Sequence, residues 1–208
     1  MQEPAPKRGR GRRPAAEVRQ DVCSAVGPIL LNEGMGQLSF ERVAREAGVS
    51  KTTLYRWWPS LGVLILDCYV HAVENELAFN DSGDIKADLT SQLTAFTRVM
   101  TKTRGGRVLT ELIGASQTDP ELAAEYRRLY SSVRRQAAVK RLAKAQEDGQ
   151  IREEVNLESM VDQLWGAVYH RVLIPDLPVT PSFIDALVGN VLSGTARSRN
   201  LDHLSRGS

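Results

Sequence analysis

The chain has 208 residues, 42% of them hydrophobic and 25% charged, with a net charge of +2, so it can build a real core in one or two domains and is not disordered as a whole. No stretch has the roughly 20 unbroken apolar residues that a membrane span needs, and the N-terminus is basic and Pro/Gly-rich with no apolar run, which argues against a secretory signal and for a cytoplasmic protein. The two cysteines, Cys23 and Cys68, lie far apart on segments that read as helices, which argues against a disulfide framework or a four-ligand zinc site and for a reducing compartment, with both as small core residues.

Charge is unevenly placed. Residues 1–57 hold ten Lys and Arg against six Asp and Glu, a balance of +4 that leaves −2 for the remainder. A positive first third suits a module that meets phosphate, beside another that does not. The most basic stretch, Pro6 to Pro14, contains Arg10, Arg12 and Arg13; its Gly and Pro content forbids a helix and predicts a flexible arm over 1–15.

The first helix is predicted from about Ala16 to Asn32, with Val18, Val22, Ala25, Val26, Ile29 and Leu30 on one face and Gly34 as its stop. Pro28 lies inside it, and an interior proline costs about 3 kcal/mol in a regular helix, so Gly27-Pro28 predicts a kink or a late restart. From Ser39 to Trp58 the chain reads as two short helices joined by a tight turn. Phe40, Val43 and Ala44 recur at helical spacing, Gly48 supplies the elbow, and Ser50 caps the next helix. Leu54 with Trp57 or Trp58 faces inward, while Lys51, Thr52, Thr53, Tyr55 and Arg56 stay outward, able to donate to phosphates or base edges.

The string AGVSKTTLYRWWPS resembles the helix-turn-helix signature of the tetracycline-repressor (TetR) family of bacterial transcriptional regulators, over roughly Ala16 to Glu76. A second echo lies in TDPELAAEYRRLY and VDQLWGAVYHRVL, similar to one group of regulatory domains in that family. The resemblance implies a DNA-binding domain over 16–76 and a helical effector-binding and dimerisation domain over 77–197, with a tail over 198–208. It implies a repressor that binds a palindromic operator of double-stranded DNA as a homodimer and responds to a small-molecule effector, with no catalytic role and no cofactor. Ser39 and Ser50 join the reader set. Lys51 and Thr52, near the start of the recognition helix, are the candidates for base edges, Thr53 and Tyr55 by resemblance for phosphates, and Arg56 for either. The arm arginines suit the minor groove, GRGRRP resembling an AT-hook core; the alternative is a solvated tail. The lysine that commonly follows Pro-Ser in the family is here Leu61, so that phosphate contact is not carried over.

The rest of the chain shows helical periodicity and no strand signal, giving an all-α protein. After Pro59-Ser60, Val63, Leu66, Val70, Val73 and Leu77 define a long fourth helix linking reader to sensor. Beyond a loop at Asn80 to Gly83, helices are predicted at Ile85–Lys102, Gly106–Ser116, Pro120–Glu147, Leu157–Leu173 and Ser182–Ser193, with caps at Asp119, Asn156 and Thr180 and a stop at Gly149. The last two helices carry broad apolar faces. Leu157, Val161, Leu164, Val168, Phe183, Ile184, Leu187, Val188 and Val191 are the expected four-helix dimer interface, with burial inside one protomer as the alternative.

Candidate effector liners are Tyr69, Phe96, Met100, Tyr126, Tyr130, Trp165, Tyr169 and His170, which could equally be core aromatics. Two rival functions remain: an architectural DNA binder that reads only A·T content, and a metal sensor using Cys68 and His71, three apart on one helix, with Glu74. No Gly-rich phosphate loop and no recognisable nucleophile setting is found.

Overall fold

The computed structural model describes residues 15–73, 79–174 and 177–194; Arg10, Arg12, Arg13 and Glu74 lie outside them. The described residues form helices and loops with no strand: α1 Ala15–Glu33, α2 Phe40–Ala47, α3 Lys51–Trp57, α4 Leu61–Val73, α5 Ile85–Lys102, α6 Arg104–Ser116, α7 Pro120–Tyr126, α8 Ser132–Glu147, α9 Leu157–Leu173 and α10 Pro181–Ser193. A short 3-10 turn, Met35–Gln37, leads from α1 to α2. The chain divides into two compact units, Met1–Ala72 and Val73–Ser208. The division falls at the last turn of α4, four residues before the boundary expected from the sequence.

In the first unit, α1 packs on α2 and α2 on α3. Val18, Val22, Val26 and Leu30 are buried along α1 at alternating spacings of three and four, while Ala25 and Ile29 are half-buried. The helix runs through Pro28 without a break, contrary to the late restart expected. Pro28 and Ser24, whose carbonyl loses its intrahelical donor, are both exposed, on the side of α1 where solvent can take the place of the lost bond. α4 is apolar on nearly every side, and every residue from Val63 to Tyr69 is buried. That is the pattern of a helix enclosed by its neighbours.

The two cysteines correct the sequence reading. Cys23 of α1 and Cys68 of α4 are joined in a disulfide, their Cα atoms 4.6 Å apart across 45 residues of chain. Separation along the chain misled because α1 and α4 meet in the fold, at this bond and at Arg19 with Asp67. The expectation that both are core residues stands, since each is buried. A metal site on Cys68 and His71 is overturned: the Cys68 sulfur is bonded and enclosed, His71 is exposed, and among the described residues no cluster of three ligating side chains occurs.

In the second unit, α5 is the hub, packing against α6, α9 and α10, and α8 packs against α9. Leu89, Leu93, Phe96 and Met100 are buried along α5. Its first turn is fixed by polar groups. Asp84 accepts from the Lys86 and Ala87 amides, and the Gln150 side chain accepts from the Ile85 amide at 2.9 Å. Asp88 accepts from Ser82 Oγ at 2.6 Å and from Arg141 Nε and Nη2 at 2.8 and 2.5 Å. Both members of that ion pair are buried, at 5% and 6% exposure. Burial pushes the Asp88 carboxyl up, but the hydrogen bonds from Ser82 and Arg141 outweigh it and hold the group below the usual carboxylate range. Lys144 reaches Asp81, which secures the preceding loop to α8.

α5 meets α6 at unusually close range. A Cβ on Gly106 would stand 2.1 Å from the Met100 carbonyl oxygen, so only glycine fits there. The helix expected over Pro120–Glu147 is continuous but not uniform: between α7 and α8, Arg127–Ser131 winds as a π-helix. Asp119, Asn156 and Thr180 cap their helices by accepting from the Leu122, Ser159 and Phe183 amides at 3.0, 2.9 and 3.2 Å.

Candidate DNA-binding face and candidate effector cavity

The geometry of the α2–turn–α3 segment follows from local chemistry. Ser39 accepts from the Arg42 amide at 3.2 Å and starts α2. Gly48, at φ 65°, lets the chain reverse, while the Val49 amide returns to the Ala44 carbonyl at 3.0 Å. Ser50 then accepts from the Thr53 amide at 3.1 Å and shares a hydrogen bond with the Thr53 hydroxyl at 2.8 Å. The two serines therefore act as helix caps, each occupied with backbone.

Leu54 anchors α3 from below and is fully buried; Trp58 follows it inward at 4% exposure, whereas Trp57 stays 45% exposed. The open choice between the two tryptophans is thus settled for Trp58. Lys51, Thr52, Tyr55 and Arg56 all lie exposed along the outer side of α3, and Thr53 is half-buried. Tyr55 is held upright by Phe40, their ring centroids 4.3 Å apart. Lys51 donates to Glu41 of α2 at 2.9 Å, and this hydrogen bond drives the Glu41 carboxyl below its ordinary range and the Lys51 ammonium above its own. Arg42 does not face outward with them: it grips Glu33 with two hydrogen bonds of 2.8 Å and caps the Gln37 carbonyl, tying α2 to the end of α1.

Asp67, which drew no attention in the sequence, organises this unit. It is buried on α4 and accepts from Trp58 Nε1 at 3.0 Å and from Arg19 Nε and Nη2 at 2.8 and 2.6 Å. One carboxylate joins α1, α4 and the end of α3. With the Cys23–Cys68 bond one residue further along α4, the recognition helix stands on a doubly fastened base. The sequence signal for it was an aspartate inside the apolar run LGVLILDCYV, which demands a partner. Leu61 opens α4 as its first residue, with Ser60 accepting from the Val63 amide at 3.3 Å.

A cavity of about 230 Å³ opens in the second unit between α5, α8 and α9. Of the eight expected liners, Phe96, Tyr130, Trp165 and Tyr169 border it. Phe79 and Arg134 border it too and were missed, Arg134 lying over the Phe79 ring at 5.7 Å from its centroid. Tyr69 is fully enclosed in the first unit, Met100 borders one surface groove, Tyr126 borders another that shares Ser131 and Tyr169 with the cavity, and His170 is exposed. These four do not border the cavity; Tyr69 belongs to the other unit, and the sequence alone could not assign the facing of the other three. Phe96 meets Tyr169 edge to face at 5.1 Å, and Phe79 lies 5.8 Å from Trp165. The π-helical turn contributes Tyr130 and Ser131.

The residues expected at the dimer face divide into two sets. Val161, Leu164, Val168, Ile184 and Val188 are buried within the single chain, because α9 and α10 pack on α5 and on each other. Leu157, Phe183, Leu187 and Val191 keep surface that a second copy could cover, and Phe183 lies under the Arg171 guanidinium at 3.8 Å. No helix among the described residues is long and apolar enough to cross a membrane.

Residues 30–66 match the family described as bacterial regulatory proteins, tetR family, and residues 79–191, more than half of the chain, match the tetracyclin repressor-like C-terminal domain. The HTH-type transcriptional regulator YdeS of Bacillus subtilis is 34% identical over 90% of this chain and 93% of its own length. The HTH-type transcriptional regulator AqdR of Rhodococcus erythropolis is 26% identical over 86% of each chain. The crystal structure of the TetR family transcription regulator SCO0332 is 63% identical, with a TM-score of 0.82, covering 87% of this chain and all of that one. The chain belongs to the TetR family of bacterial DNA-binding transcriptional regulators.

Proposed function

We propose that the protein is a homodimeric, ligand-responsive repressor whose two α3 helices enter successive major grooves of a palindromic operator. The observation that carries this reading is the outer side of α3: Lys51, Thr52, Tyr55 and Arg56 are exposed together on a helix whose cap, underside and C-terminal tryptophan are all fixed. Lys51 and Thr52 read base edges, Tyr55 and Thr53 contact phosphate, and Arg56 takes either role. Arg10, Arg12 and Arg13 extend the grip into the adjacent minor groove. The surface left on Leu157, Phe183, Leu187 and Val191 pairs with its symmetry mate, and the cavity beside Trp165 and Tyr169 receives the effector. Effector binding shifts the population between two spacings of the paired reading helices.

Footprinting on the DNA around the protein's own gene tests the reading. A protected palindrome is expected, with preference over random DNA of several kcal/mol, typical of specific regulators. Lys51→Ala should flatten discrimination among operator variants, and Tyr55→Phe should weaken all sequences about equally. Protection that tracks A·T content alone, with both variants unchanged, would establish an architectural binder instead.

A further inference from the structure

The Cys23–Cys68 bond crosses the reading unit close to the place where α1 is weakest. Both thiols of the chain are committed to this bond. Bacterial DNA lies in a compartment that thioredoxin and glutathione keep reduced, where protein disulfides, when they form, are usually catalytic or redox-sensing. Gly27 and Pro28 follow Cys23 by four and five residues. They are the two residue types least favourable inside a helix, and Pro28 leaves the Ser24 carbonyl without an intrahelical donor.

That step divides the fastenings of α1 into two groups. Before it, α1 is tied to α4, by the disulfide and by Arg19 with Asp67. After it, α1 is tied to α2, through Glu33 and the two hydrogen bonds of 2.8 Å from Arg42. Gly27-Pro28 thus stands between the contacts that hold α4 and the contact that aims α2 and, through the Gly48 turn, α3. With the bond closed, α1 is held about one turn from this step. With it open, the Arg19–Asp67 pair that remains lies about two turns away and has half of the arginine side chain in solvent. A helix so released can bend at its proline, and α2 and α3 then lose their fixed aim.

We propose that Cys23 and Cys68 form a thiol–disulfide switch of DNA affinity, closed in the tight-reading state, an inference that rests on α3 being the DNA-contacting helix. Cys23, at 3% exposure against 0% for Cys68, is the sulfur that a dithiol reductant reaches. The reductant's thiolate attacks Cys23, the S–S bond breaks and Cys68 leaves as a thiolate; the second thiolate of the reductant then displaces Cys23. Two electrons pass to the pair, each cysteine takes a proton, and the reductant departs as its own disulfide.

Full-length protein equilibrated in mixtures of oxidised and reduced dithiothreitol tests the switch. The closed fraction is read by mass after maleimide alkylation. DNA affinity is read by fluorescence anisotropy on two duplexes, one from around the protein's own gene and one of random sequence. The closed form should bind about tenfold tighter than the open form. Linkage then requires saturating DNA to shift the dithiol–disulfide equilibrium by the same factor, about 30 mV for a two-electron couple, which a purely structural bond would not show. Cys23→Ala combined with Cys68→Ala should bind like the reduced parent and ignore the buffer. Gly27→Ala combined with Pro28→Ala should leave the closed affinity unchanged and remove most of the redox difference, since a Cβ at Gly27 meets nothing within 4 Å. Equal affinity of the closed and open parent, tighter binding by the open form, or a bond that excess reductant leaves closed in the native protein overturns the proposal without any variant. Equal binding of the two duplexes would remove the palindromic-operator reading alone, leaving closed and open forms to be compared on either one. Binding to neither duplex would remove both.

Discussion

The two units solve opposite problems with the same helical material. The first is cross-fastened: one carboxylate joins three helices, a disulfide doubles the α1–α4 contact, and serine caps start both α2 and α3. The second places its buried ion pair, Asp88 with Arg141, at the start of α5, and leaves a cavity between α5, α8 and α9, bordered by a glycine and a π-helical turn. A reader of fixed shape needs its side chains pre-positioned, whereas a sensor needs room that a ligand can fill.

That contrast can be broken at named residues. The largest effect is expected at Asp88→Ala, which leaves the buried Arg141 cation with only Asp81, at 3.4 Å, and should cost about 3–5 kcal/mol in urea unfolding of the second unit. Acid should act through the same group. The folded carboxyl titrates below its unfolded value of about 3.9, so its contribution is complete above that pH and is lost as pH falls through the lower, folded value. Urea midpoints measured from pH 7 to 3 should drop for the parent and flatten for Asp88→Asn. Gly106→Ala comes next, at about 3 kcal/mol, the top of the overpacking range, because its Cβ would collide with backbone.

Asp67→Ala should cost about 2 kcal/mol by leaving the buried Trp58 indole without its acceptor, while the partly exposed Arg19 finds water. It should also lower operator affinity; a variant that melts and binds like the parent would show that the first unit is no more tightly fastened than the second. The smallest effect is a gain. Gly166→Ala should stabilise α9 by about 0.5–1 kcal/mol in thermal melts while narrowing the cavity, since nothing lies within 4 Å of the added carbon.

What the sequence disclosed was local. Gly48, Ser50, Asp119, Asn156 and Thr180 act on backbone a few residues away, and their roles were readable from spacing, whereas Ser39, expected only among the DNA-contacting residues, caps α2. The unread ion pairs join distant positions. Arg19 and Asp67 are 48 apart, and Asp88 and Arg141 are 53 apart. Periodicity gave the apolar faces of α9 and α10 but not what covers them, so residues that pack on α5 were assigned to a partner copy. The cavity was half legible for the same reason: Trp165 and Tyr169 lie on a strongly periodic helix, while Phe79 precedes α5 in a loop with no period to read.

The π-helical turn at Arg127–Ser131 has a consequence for comparing relatives. Such a turn closes over one residue more than the α-helical register requires, and each residue of an α-helix advances the chain by about 100° around its axis. A relative lacking one residue between Tyr126 and Ser132 would keep the rod and its length almost unchanged, yet its equivalents of Arg134 and Ala138 would point about a quarter-turn away from the cavity. Alignment gaps at this point therefore mark where shared ancestry ceases to imply a shared ligand.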